Sequence, residues 1–288
     1  MDRAPPSFPS DLVQLEPGLG LLRFAALLSE GAEADDDTLD AMFEQMEIGA
    51  LDRISPTDIW RELSAGLMGP RPSAMLKALR AGGVLEAVLP EVHDLFGVPQ
   101  ISDEPGEVDL GELLLRSLDE AAALDAPVDV RFALLTMNVG KADSPREHLP
   151  AHYRHMERGA PRIAAIATRF GVAPACRDFA LLALRECERV HRTSEVRAGP
   201  VAAMLARLDA FDEPERFTRL MMVARCDYFG HGGRAETTYP KARLLARALE
   251  ACADIDPAGF DTDDDLMTAR AAAIARAFRS QRWSDETA

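Results

Sequence analysis

Cysteine is scarce and carries no pattern. The four thiols, Cys176, Cys187, Cys226 and Cys252, form no C-x-x-C pair, which excludes a disulfide framework and a zinc knuckle as organising devices. Long apolar runs are also missing: stretches such as Ala180–Leu184 fall far short of the roughly 20 residues that span a bilayer, so no membrane segment is expected. Met1–Pro6 has no basic stretch leading into an apolar core, and a cytoplasmic protein without a secretory signal is the expectation. Positive charge is in deficit, with 32 basic against 48 acidic residues, a net −16, and Lys77, Lys141 and Lys241 as the lysines. Such a chain on average repels a phosphate backbone. Nucleic-acid binding would need arginines gathered on one face. Runs of alternating apolar and polar residues are absent as well, which removes the usual strand signal.

Helical spacing is present almost throughout, so the fold class expected is all-α. Leu39, Met42, Phe43 and Met46 recur at three and four residues and predict one apolar helix face. Ser55 and Pro56 open the next helix, with Ser55 as cap and Asp58 near the positive dipole end. Trp60, Leu63 and Leu67 supply its apolar face, and Gly69-Pro70-Arg71-Pro72 ends it. Shorter helices follow at 74–81 and 84–89. The stretch 98–108, with Pro99, Ser102, Asp103, Pro105 and Gly106, reads as a polar loop. Helices are expected beyond it near 109–125, 127–137, 147–170 and 175–192. A last helix near 263–281 opens on Asp263-Asp264-Asp265, which suits a helix N-terminus.

Three stretches in order carry a family resemblance. The first is Arg23-Phe24-Ala25-Ala26 followed by Ile54–Glu62. The second is Leu79-Arg80-Ala81-Gly82-Gly83-Val84-Leu85, running into Leu89-Pro90-Glu91 and Leu95–Gln100. The third is Val128–Leu135, continuing to Gly140-Lys141, with a weaker echo in Asp227, Gly230 and Tyr239-Pro240. Together they resemble the neck, body and tail of bacterial CCA-adding tRNA nucleotidyltransferases that carry an inserted hydrolase domain of the histidine-aspartate (HD) type. The resemblance covers residues 20–260. It implies an elongated multi-helix array, divided as a flexible 1–15, a neck- and body-like RNA-binding region 16–100, an HD-type bundle 101–192 and a C-terminal helical region 193–288.

The family's chemistry is where the sequence departs from the pattern. The resemblance implies a mixed α/β head with paired carboxylates for metal-assisted nucleotide transfer, far longer than the 22 residues ahead of Arg23. Nucleotidyl transfer by this polypeptide alone is therefore not expected. Its base-reading Glu-Asp-x-x-Arg pattern is represented only by Leu15–Gly20, without an arginine. In the HD motif a histidine and an aspartate hold the metal that activates water, and Met137 and Asn138 stand at those positions. Methionine is too soft for a hard divalent ion, and asparagine lacks the charge that anchors it. Leu113 stands for the upstream histidine and Cys187 for a downstream one. His152 and His155 survive, three residues apart and expected on one helix face, with His148 just upstream.

No cofactor or bound metal is expected. The leading expectation is a catalytically degenerate relative that binds tRNA or another structured RNA, or a protein, through its helices. Arg61, Arg71, Arg80, Arg154, Arg158 and Arg162 are its candidate RNA contacts. One alternative is the non-head subunit of a split enzyme, partnered by a separate nucleotidyltransferase head protein. Another is residual phosphohydrolase activity through His148, His152 and His155. Lys141, in a helix-ending turn, is expected to face water or the negative helix end. His93 and His191 read as isolated structural or surface residues, Trp60 and Met42 as core, and Trp283 as a possible stacking platform. No Ser/His pair has the order of a catalytic triad, so no nucleophile is nominated.

Overall fold

The computed structural model describes residues 17–31, 36–102, 106–193, 197–233 and 238–285. Glu16, Asp103 and Pro105 lie outside them, as does the side chain of Trp283. Helix dominates, as the spacing predicts, and no helix among the described residues is long and apolar enough to cross a membrane. The chain divides into two compact units, residues 1–184 with 226–234, and residues 185–225 with 235–288.

The first unit begins with α1 (Pro17–Ser29), α2 (Asp36–Glu47), α3 (Pro56–Leu67) and α4 (Pro72–Ala81). α1 packs on both α3 and α4, burying Leu21, Leu22, Phe24 and Leu28. Arg23 holds Glu62 of α3 across that contact at 3.1 Å. The start of α3 follows its sequence: Ser55 Oγ accepts the Asp58 amide at 3.1 Å, with Pro56 at the first helical position. Trp60 meets Phe132 edge to face at 5.4 Å, so it is packed as expected. On α2, Met42 is buried but Phe43 is half exposed, so the predicted apolar face is only partly covered.

The short helices α5 (Val84–Val88) and α6 (Pro90–His93) lead to a feature that periodicity misses. Residues 98–108, expected to be loop, contain an antiparallel hairpin of β1 (Pro99–Ile101) and β2 (Glu107–Asp109), with Gln100 opposite Val108. Three-residue strands are too short to show a period of two. Asp109 then caps α7 (Leu110–Ala123), accepting the Glu112 amide at 3.0 Å and the Gly97 amide at 2.5 Å. α7 packs on α4 and on α8 (Val128–Thr136).

Among the described residues, Arg131 of α8 is the largest fully buried side chain, 1% exposed. Its Nη1 donates to Leu67 O (2.6 Å) and Gly69 O (2.9 Å), and its Nε to Ala126 O (2.8 Å). These carbonyls end α3 and precede α8, where no helical amide is left to satisfy them. Burial lowers the pKa of Arg131, and the charge of Asp125 opposes that shift. The unit continues with α9 (His155–Phe170) and α10 (Pro174–His191), within which the division falls.

In the second unit, α11 (Ala198–Arg207) packs on α13 (Pro240–Glu250) and α14 (Asp263–Asp285). The second division falls within α12 (Pro214–Gly230). Glu186, almost fully buried, takes both Nε and Nη2 of Arg207 at 3.1 and 3.2 Å. α14 opens on the acidic run expected there, capped by Thr262 Oγ1 on the Asp265 amide at 3.1 Å.

Candidate functional site

Met137 and Asn138, which the resemblance sets at HD-motif positions, fall at the end of α8 and in the irregular segment that follows it. Met137 ends α8 in helical conformation, and Asn138 leads into a single 3-10 turn, Val139–Lys141. Both are buried, 5% and 7% exposed, as is Leu113 on α7 at 1%. Gly140 lies against the start of α9 so closely that a Cβ there would collide with the carbonyl of His155 and the backbone of Gly159.

α9 holds this segment from the other side. Arg158 donates from Nε to Gly140 O (3.0 Å), from Nη1 to Tyr153 O (2.8 Å) and from Nη2 to Ser144 Oγ (3.0 Å). Arg162 donates to Val139 O at 3.0 Å and pairs with Asp143. Two of the expected RNA contacts are thus directed inward. Their donors satisfy carbonyls that no helix or sheet would otherwise pair.

His152 and His155 do not share a helix face. α9 starts only at His155, because Arg154 takes a left-handed conformation (φ 57°), so His152 sits in irregular chain ahead of it. Its Nε2 lies 3.0 Å from Pro99 O and its Nδ1 2.8 Å from Ser144 Oγ. A carbonyl only accepts, so Nε2 carries the proton and Nδ1 accepts from the Ser144 hydroxyl. A continuous relay results, from Arg158 through Ser144 and His152 to Pro99. Burial, then the positive charges of Lys141 and His155, pull the pKa of His152 down to about 4, so the ring is neutral at pH 7. Both nitrogens are engaged with protein, and neither offers a free lone pair to a metal. His155 is buried and donates from Nδ1 to His152 O at 2.8 Å, while exposed His148 stacks edge-on with Tyr153.

Lys141 departs from expectation. It is 7% exposed, with Nζ donating to Gln100 Oε1 on β1 at 3.0 Å, so the hairpin and the 139–144 segment are joined twice, through Lys141 and through His152. Neither Ser144 nor Gln100 is identifiable from spacing, since irregular chain separates each from its partner.

The remaining candidates are dispersed. Arg61 is exposed and paired with Asp58 (2.6 Å) and Glu62 (3.2 Å). Arg80 lies over the Phe96 ring at 4.4 Å, exposed Arg71 occupies the N-cap of α4, and exposed Arg154 pairs with Glu157 at 2.5 Å. In the second unit Cys187 is buried, 3.5 Å from His191 Nε2, and His191 Nδ1 meets the Tyr239 hydroxyl at 2.9 Å. His191 is therefore a bridging group rather than an isolated one. His93 contacts Asp94 at 3.4 Å.

No protein-family model matches the chain. Curated relatives do. The multifunctional CCA protein of Cupriavidus necator is 37% identical over 278 residues, covering 93% of this chain and 67% of the relative. The namesake in Halorhodospira halophila is 38% identical, covering 88% of this chain and 61% of the relative. That in Polaromonas naphthalenivorans is 39% identical, covering 82% and 56%. The chain thus spans 56–67% of the length of these relatives. Identity at this level across nearly the whole chain, on a fold of helices with a single short hairpin among the described residues, makes it a member of the multifunctional CCA protein family.

Proposed function

We propose that this chain is a catalytically degenerate member of its family, acting as a scaffold that binds tRNA or another structured RNA through its helices. The observation that carries the reading is the state of the segment after α8. Met137 and Asn138 are buried at the two HD positions, and His152 is neutral with both ring nitrogens bonded to protein. Such a segment lacks the open, charged ligand set that activates water. The family membership favours RNA as the partner, and exposed Arg61, Arg71 and Arg80, on or next to α3 and α4, are the side chains offered to phosphates.

The test is filter binding of the purified chain to total tRNA across a salt series, with an acidic protein of similar charge as control. Saturable binding whose logarithm falls linearly with the logarithm of salt is expected, the slope counting the phosphates contacted. Absence of binding at low salt overturns the scaffold.

A further inference from the structure

The second unit holds a pocket of about 330 Å³ whose rim is arginine. Arg189 comes from the last turn of α10, Arg192 from just beyond its end, Arg197 from the N-cap of α11, and Arg207 from its C-terminal end. Pro200 and Ala203 give the same pocket its accessible apolar surface, over the buried Val201 and Met204.

The local charge runs against that of the chain. Among the described residues four arginines face two carboxylates: Glu186, which takes Arg207 at 3.1 Å with Arg189 at 3.9 Å, and Glu188, which pairs with Arg192 at 3.1 Å. Glu186 is 5% exposed in its side chain, so it is a buried anchor that aims Arg207 and offsets part of the arginine charge. Arg197 is exposed and has no carboxylate partner among the described residues. A concave surplus of guanidinium groups in a chain of net −16 is what phosphate recognition needs, since the planar fork matches phosphate oxygens two at a time.

The apolar part of the lining narrows the ligand. Inorganic phosphate gains nothing from Pro200 and Ala203, whereas a nucleoside presents flat, weakly polar faces that suit both apolar side chains and guanidinium planes. The volume lies at the small end of ligand pockets, about 300 to 1,000 Å³, which fits one nucleotide rather than a dinucleotide cofactor. We propose that this pocket takes a nucleoside monophosphate, free in solution or as one residue of an RNA strand. In the second form the site deepens the RNA-binding reading above and rests on it; in the first it stands alone.

The experiment titrates the full chain calorimetrically with AMP, adenosine and inorganic phosphate, and measures tRNA filter binding for wild type, Arg197→Glu, Arg192→Glu and the control Arg243→Glu, an exposed position of α13 outside the pocket. Circular dichroism verifies that each variant stays folded. For a free nucleotide, AMP saturates one site, adenosine and phosphate each bind at least tenfold more weakly, and Arg197→Glu weakens AMP at least tenfold. For an RNA residue, tRNA affinity falls at least tenfold in Arg197→Glu and Arg192→Glu but not in Arg243→Glu. AMP binding without tRNA binding supports the pocket and removes the scaffold. tRNA binding indifferent to both pocket substitutions, with no AMP bound, overturns the pocket and leaves the scaffold standing. A chain that binds neither overturns both.

Discussion

The hydroxyl of Ser144 donates to Nδ1 of His152 across 2.8 Å, in a site where burial, then the charges of Lys141 and His155, oppose protonation of the ring. The folded pKa of about 4 lies below the ordinary 6.5, so between these values the unfolded chain binds a proton that the folded chain refuses. The contribution is complete above pH 6.5 and is lost as pH falls toward 4. Between pH 7 and pH 5 wild type is expected to lose about 1 to 2 kcal/mol more stability than His152→Gln. Urea denaturation at the two pH values measures it, and equal losses would remove His152 as the cause.

Arg131 is the second buried group with a defined task. Arg131→Met keeps the volume but leaves Leu67 O, Gly69 O and Ala126 O without a donor, and is expected to cost about 3 to 5 kcal/mol. Arg131→Lys should recover only part, because one ammonium cannot reproduce the fork. A denaturant midpoint within error of wild type for the methionine variant would mean that water replaces the guanidinium.

Two glycines in contact are predicted to behave oppositely. Gly140→Ala drives a methyl into the backbone of His155 and Gly159, where nothing can rotate away, and should destabilise by about 2 to 4 kcal/mol. Gly159→Ala meets the Leu184 methyl groups at 3.3 and 3.4 Å and the Gly140 amide nitrogen at an ordinary 3.6 Å, and gains up to about 1 kcal/mol of helix propensity, so its effect should be small. Thermal melts of the two variants decide it.

The arginines fall into two groups that one assay separates. Arg158→Ala removes three intramolecular bonds and should lower stability by about 2 kcal/mol. Replacing Arg61, Arg71 and Arg80 together should leave the melt near wild type, weaken tRNA binding and shallow the salt slope by about 0.9 for each phosphate no longer neutralised. An unchanged slope in the triple variant would move the RNA surface elsewhere.

The legible parts of this molecule are those written locally. Ser55-Pro56, the acidic start of α14 and the helical spacing of α3 are signals confined to a few neighbouring residues, and each produced the element expected. The hairpin was hidden because its strands hold three residues each. The histidine geometry was hidden because the left-handed Arg154 delays α9 until His155, a conformation that arginine does not advertise. Burial of Lys141, and the inward turn of Arg158 and Arg162, depend on carbonyls brought near by tertiary packing, which no spacing encodes.

The burial of Asn138 bears on the history of the chain. On the reading proposed above, restoring a carboxylate at this position alone would place an unpaired negative charge where 7% of the residue meets solvent, at a cost of several kcal/mol until every other metal ligand had also returned. On that reading packing makes the loss of the metal ligands act as a ratchet, because a single reverted position lowers stability before it returns any chemistry.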